Sequence, residues 1–192
     1  SKVLIVNDET YERGHNLAKD RIILNISDII NGEIKTLNKL DNTYGDLACI
    51  LYTSGSTGIP KGVKITRKSL VNFIDFHVSD LDILPEDVYG LFASIGFDVA
   101  MAAIFSAIYS GACLNVIPND IKLNISAMNK HFMKHGVTHT YITTQIAKLF
   151  INQIEETSLK VLVAGGEKLG QIDEIRNYRI VDAYGPTEAC VY

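Results

Sequence analysis

The sequence predicts an α/β protein built on a parallel-rich sheet flanked by helices. Three observations predict it. Short apolar runs of strand length recur along the chain, and stretches with helical apolar spacing alternate with them. Breakers stand where those stretches stop, at Gly111, Pro118-Asn119, Gly136 and Gly165-Gly166.

In chain order, residues 2–6 read as a short apolar strand and residues 21–26 as a second. The polar stretch 8–20 between them reads as a loop or weak helix. Residues 29–44 are mixed, with Asn31-Gly32 as a turn signal, and suggest irregular structure or a short hairpin. Leu47, Ala48, Cys49 and Ile50 open a strand over 47–52 expected to be buried, and 62–66 make another. Over 67–81, Leu70, Val71, Phe73, Ile74 and Val78 share one helical face, with Thr66 as N-cap. Strands follow at 88–93, 112–117, 138–142, 159–163 and 179–183. Helices are expected from Asp98 to the stop at Gly111, and over 125–135, 145–154 and 169–176.

The 192 residues are enough to bury a sizeable core, and 47% hydrophobic with 21% charged residues is ordinary for a globular protein. A net charge of −4 and a pI near 5.7 argue against nucleic acid or an anionic membrane surface as partner. No apolar run approaches the roughly 20 residues that span a bilayer. The start carries no charged-then-apolar leader. Cys49, Cys113 and Cys190 are odd in number and in apolar settings, as expected of reduced thiols in a cytoplasmic protein.

Between the strands at 47–52 and 62–66 lies Leu51-Tyr52-Thr53-Ser54-Gly55-Ser56-Thr57-Gly58-Ile59-Pro60-Lys61-Gly62. Glycines let backbone N–H groups approach an anion, hydroxyls donate to it, and a lysine adds positive charge. The composition is that of a phosphate-gripping loop, although the Walker A spacing is not met. A second polar stretch, Asp182-Ala183-Tyr184-Gly185-Pro186-Thr187-Glu188, follows the last strand. A tyrosine face stacks on a base, a hydroxyl meets a phosphate, and a glutamate holds Mg²⁺. Ligands of open α/β sheets sit beyond the carboxyl ends of the strands, where this stretch falls. Gly165-Gly166-Glu167 is a turn, with Glu167 suited to the start of the next helix. Asp98, before an apolar helix, reads first as an N-cap. His131, His135 and His139 are spaced by four, but Gly136 breaks their helix and no acidic or cysteine partner is in register, so a metal site is not expected.

The loop at 51–62 and Tyr184-Gly185-Pro186-Thr187-Glu188 resemble the two signatures of the adenylate-forming superfamily, which includes acyl-CoA synthetases, luciferases and the adenylation domains of nonribosomal peptide synthetases. Both match without departure. The resemblance implies that Thr53, Ser54, Gly55, Ser56, Thr57, Gly58 and Lys61 hold the ATP phosphates. It implies that Tyr184, Asp182, Gly165 and Gly166 lie around the adenine. Thr187 would meet the α-phosphate and Glu188 the Mg²⁺. Phe97-Asp98-Val99-Ala100 is similar to the element of amino-acid-activating members whose aspartate meets the substrate's α-ammonium. The side-chain pocket then falls on Asp98, Val99, Ala102, Tyr141, Val163, Gly165, Ala183, Val191 and Tyr192.

Asp98 apart, that lining carries no charge, and an unpaired buried charge is prohibitive. The expected substrate is therefore an uncharged, largely apolar amino acid of medium to large size, unless the Tyr141 ring fills the pocket. The expected activity is ATP-dependent activation of the amino acid as an aminoacyl-adenylate, for transfer to the phosphopantetheine thiol of a carrier-protein domain. The resemblance covers part of the family's large subdomain. The N-terminal part of that subdomain and the small C-terminal subdomain are expected outside residues 1–192, leaving this stretch inactive by itself. The alternatives are an acyl or aryl acid:CoA ligase, against which Asp98 stands, and a non-catalytic nucleotide-binding module.

Overall fold

Alternating side chains give each strand of this protein two faces, and both faces of its main sheet are covered. The computed structural model describes residues 3–31, 46–53, 59–172 and 176–191. The chain divides into two compact units, Ser1–Asp41 and Asn42–Tyr192.

In the first unit, β1 (Val3–Val6) pairs in parallel with β2 (Ile22–Asn25). A 3₁₀ turn over Asp8–Thr10, capped by Asn7, leads into α1 (Tyr11–Ala18). Gly14 lets α1 lie against Val6, because a Cβ there would overlap the valine. β2 ends at Asn25, short of the expected Ile26. Asn25 Oδ1 accepts from Ser27 N at 3.1 Å, and α2 (Ile26–Asn31) begins there. Ile29 to Asn31 are thus helical rather than irregular; the rest of the 29–44 stretch lies outside the described residues.

The second unit opens with an antiparallel hairpin of β3 (Leu47–Thr53) and β4 (Lys61–Thr66). β3 is not the buried strand expected. Leu47, Ile50 and Tyr52 are exposed, and Cys49 and Leu51 are half-buried. A two-stranded ladder has only one face covered, here the one that Ile65 shares with Leu70, Phe73 and Ile74 of the next helix. α3 (Arg67–Leu81) begins where expected, with Thr66 Oγ1 accepting from Ser69 N at 3.1 Å. Leu70, Phe73 and Ile74 are buried as expected; Val71 is exposed.

Five parallel strands follow: β5 (Val88–Leu91), β6 (Cys113–Val116), β7 (His139–Thr143), β8 (Val161–Gly165) and β9 (Arg179–Ala183). Between them run α4 (Asp98–Ser110), α5 (Ile125–His135) and α6 (Thr144–Gln153). Gly111 and Gly136 close α4 and α5 at positive φ, 79° and 63°. The spatial order β6-β5-β7-β8-β9 puts the first strand second, so the chain reverses direction across the sheet at β5. Ile142, Leu162 and Ala164 pack one face onto Phe132, Phe150 and Ile151 of α5 and α6. Tyr141, Val161, Val163 and Ala183 turn the other face to Ala100, Ala103 and Ala107 of α4.

The helix expected over 169–176 does not form across Leu169–Ile172, the part described before 176. Gly170 takes a φ of 78°, and Leu169 N donates to the Asp182 carboxylate rather than opening a helical turn. Without that helix, Glu167 has no dipole to answer; its carboxylate accepts from Gln145 Nε2.

Candidate functional site

The reversal at β5 sends the loops after β5 and β7 apart, and a crevice opens beyond the strand ends between them. A cavity of about 90 Å³ lies there, roomy enough for several waters. Asp98 and Val99 reach it from the first turn of α4 and Tyr141 from β7. Gly166, Ala183, Tyr184 and Gly185 close it from the ends of β8 and β9, and Val191 from the segment that follows.

Asp98 is the first residue of α4 rather than its cap; Phe97 holds the capping position and contributes no side-chain bond. The reason is visible in the carboxylate, whose Oδ1 accepts from Val99 N at 2.8 Å while Oδ2 accepts from Thr187 Oγ1 at 2.5 Å. Two sequence-predicted site residues, 89 positions apart, are thus in direct contact. Thr187 belongs to a 3₁₀ turn, Thr187–Ala189, followed by Cys190 and Val191 at positive φ. Cys190 and Val191 pack with Ile65 of β4 and Leu70 of α3, tying this segment to the hairpin. A small neighbouring void of about 10 Å³ is also lined by Asp98, Cys49 and Cys190. Burial, then Cys49 and Asp98, pushes the Cys190 thiol up.

Tyr141 is 8% exposed, and its ring lies where a Gly165 side chain would stand. A Cβ on Gly165 would come 2.8 Å from Tyr141 Cε2 and 2.6 Å from the Ala183 carbonyl oxygen. The ring therefore takes the room that the small residues leave. Burial first, and the Asp98 carboxylate second, push the phenol up to about 12, so its hydroxyl stays neutral. Ala102 and Val163 are buried in the packing around α4 and do not line the cavity. Tyr192 lies outside the described residues.

At the hairpin, Thr53 and Lys61 stand opposite each other at the last pair before the loop. Lys61 is exposed and Thr53 half-buried. Ser54, Gly55, Ser56, Thr57 and Gly58 lie outside the described residues. Tyr184 is 78% exposed, leaving its ring face open for stacking. Both oxygens of Asp182 accept from Leu169 N at 3.3 Å. Gly166, at a φ of 104°, turns the chain at the strand end. Glu188 is an exposed carboxylate, and no group of three or more His, Cys, Asp or Glu gathers among the described residues. A lone carboxylate fits Mg²⁺, which takes one or two from protein and the rest from phosphates and water. Of the three histidines, the His131 and His135 rings meet at a tilt on α5 with centroids 4.3 Å apart, while His139 is buried in β7. Gly185 lines the cavity although the sequence reading gave it no role; its place beside Tyr184 was the available signal.

With that geometry in view, residues 3–192 match the AMP-binding enzyme family, and the chain belongs to it. Among its relatives, bacitracin synthase 1 of Bacillus licheniformis is 38% identical over 150 residues, 78% of this chain and 3% of that protein. The L-proline--[L-prolyl-carrier protein] ligase of Streptomyces coelicolor is 33% identical over 165 residues, 78% of this chain and 31% of that protein. The inhibitor-bound N-terminal domain of FACL13 from Mycobacterium tuberculosis shares the fold at a TM-score of 0.83 and 18% identity, over 99% of this chain and 52% of that one. The chain thus spans a small part of the curated relatives' own length.

Proposed function

We propose that this chain is part of an amino-acid adenylation domain, and that the complete protein activates an amino acid with ATP for transfer to a carrier-protein thiol. The observation that carries the reading is the Asp98 carboxylate at the mouth of the switch-point cavity, hydrogen-bonded to Thr187. An ammonium needs a carboxylate there; a plain fatty or aryl acid does not. Family membership and a relative named as a prolyl-carrier ligase support the same reading.

In this reading the substrate carboxylate attacks the α-phosphorus of ATP, and pyrophosphate leaves. Lys61 and the loop it closes neutralise the phosphates, Thr187 meets the α-phosphate, and Tyr184 stacks on the adenine beside Asp182, Gly165 and Gly166. Glu188 would hold Mg²⁺, which would supply charge neutralisation on the phosphates. Asp98 fixes the α-ammonium, so the carboxylate is held in line.

The substrate side chain would rest among Val99, Tyr141, Ala183 and Val191, a lining without charge. That favours an uncharged, largely apolar side chain, and the position of the Tyr141 ring favours a compact one. The test is exchange of labelled pyrophosphate into ATP by the complete protein across a panel of amino acids. Exchange that depends on an uncharged amino acid is expected. Exchange supported only by simple carboxylic acids would make the protein an acid ligase. A preference for aspartate, glutamate, lysine or ornithine would overturn the pocket assignment alone.

A further inference from the structure

We propose that Asp98 latches Thr187, and that an amino group arriving at Asp98 releases the threonine hydroxyl for the nucleotide's α-phosphate. The inference rests on the proposed function and adds a regulation of the same site.

A hydroxyl has one proton to donate. In this structure Thr187 spends it on Asp98 Oδ2, at 2.5 Å. What Thr187 then offers a phosphate is lone pairs, which repel anionic oxygens. For Thr187 to donate to a phosphate, it must leave Asp98. Oδ1 already accepts from Val99 N, and an ammonium arriving at the second lone pair of Oδ2 neutralises the carboxylate and weakens its hold on the threonine hydroxyl. Both residues are part-buried, and Asp98 lines the cavity. A substrate ammonium brings three donors and a full charge to that oxygen, against one neutral hydroxyl. The threonine's bond is strong because its acceptor is charged, and pairing that charge with an ammonium removes the assistance, so the hydroxyl is released.

Two consequences follow. Amino acid and ATP bind with positive coupling, each raising the other's affinity by the same factor. Asp98 also acts on the phosphate site through Thr187, a positioning role beyond holding the ammonium. An acid lacking the amino group leaves the latch closed, which sharpens selection at the nucleotide as well as at the pocket.

The competing account is that the Asp98 charge simply repels the triphosphate. The two separate in the binding of MgATP to the complete protein without amino acid, measured calorimetrically. Asp98→Ala opens the latch and should tighten MgATP about tenfold, the size of one hydrogen bond to a charged group. In a Thr187→Val background, Asp98→Ala should no longer tighten binding. No tightening by Ala, or tightening that survives Thr187→Val, overturns the latch. If amino-acid-dependent exchange persists in the parent protein while the latch fails, the proposed function stands. If no amino acid supports exchange, that reading fails whatever the variants do.

Discussion

Gly165 shows how a residue without a side chain shapes the site. Its missing Cβ is filled by the Tyr141 ring on one side and the Ala183 carbonyl on the other. A ring edge can shift, but the carbonyl belongs to the neighbouring strand, in register with Gly165, and cannot. Gly165→Ala should therefore cost about 1–3 kcal/mol by overpacking. The check is a lower urea midpoint at unchanged slope. Tyr141→Ala in the same chain should recover only the part due to the ring. A full recovery would mean that the carbonyl contact is not limiting.

At the scale of elements, local signals were legible and long-range ones were not. Thr66 could be read as a cap because a cap and its helix are contiguous in sequence, and its hydroxyl does accept from Ser69 N. Thr66→Ala should cost about 1 kcal/mol, while Thr66→Ser should keep most of it, as thermal denaturation of the pair would show. The strand–helix alternation and the stops at Gly111 and Gly136 were legible for the same reason. The half-exposed β3 was not, because an apolar run does not say whether one face or two will be covered. Nor was the failure of the helix after Lys168, where the Asp182 carboxylate takes the Leu169 amide from another strand. At the site, each motif was readable alone. The bond joining Asp98 to Thr187 spans 89 positions and had no local trace.

At the scale of the second unit, two buried histidines help join α3 to the sheet, and they set its response to acid. His77 and His139 are each 1% exposed. His77 Nε2 lies 3.2 Å from the Tyr89 hydroxyl, and His139 Nε2 lies 3.1 Å from the Leu81 carbonyl. A carbonyl only accepts, so His139 carries its proton on Nε2, and its Nδ1 lies 2.9 Å from Thr138 Oγ1. Burial lowers the His77 pKa to about 4, with Asp80 opposing and His139 adding a little. Burial also lowers His139, against the Leu81 carbonyl and Asp87. Both folded values lie below that of an unfolded histidine, about 6.5. The unfolded chain therefore binds more protons below that pH. Stability is full above about pH 6.5 and falls as pH drops toward about 4, by at most about 3 kcal/mol for His77. His77→Gln should flatten that part of a melting-temperature profile; an unchanged slope would assign the acid sensitivity to other groups.

The reversal of the chain at β5 also separates two kinds of evolutionary freedom. Among the described residues, none of the proposed pocket positions belongs to the packing against α5 and α6, whereas Tyr141, Val163 and Ala183 sit on the opposite face with α4. Because neighbours along a strand point to opposite faces, Tyr141 can change while Ile142 continues to hold α5 and α6 in place. The packing on one side of the sheet can stay as it is while pocket side chains on the other exchange one substrate for another. A lineage can thus explore new specificities on a scaffold whose packing against α5 and α6 it never has to rewrite.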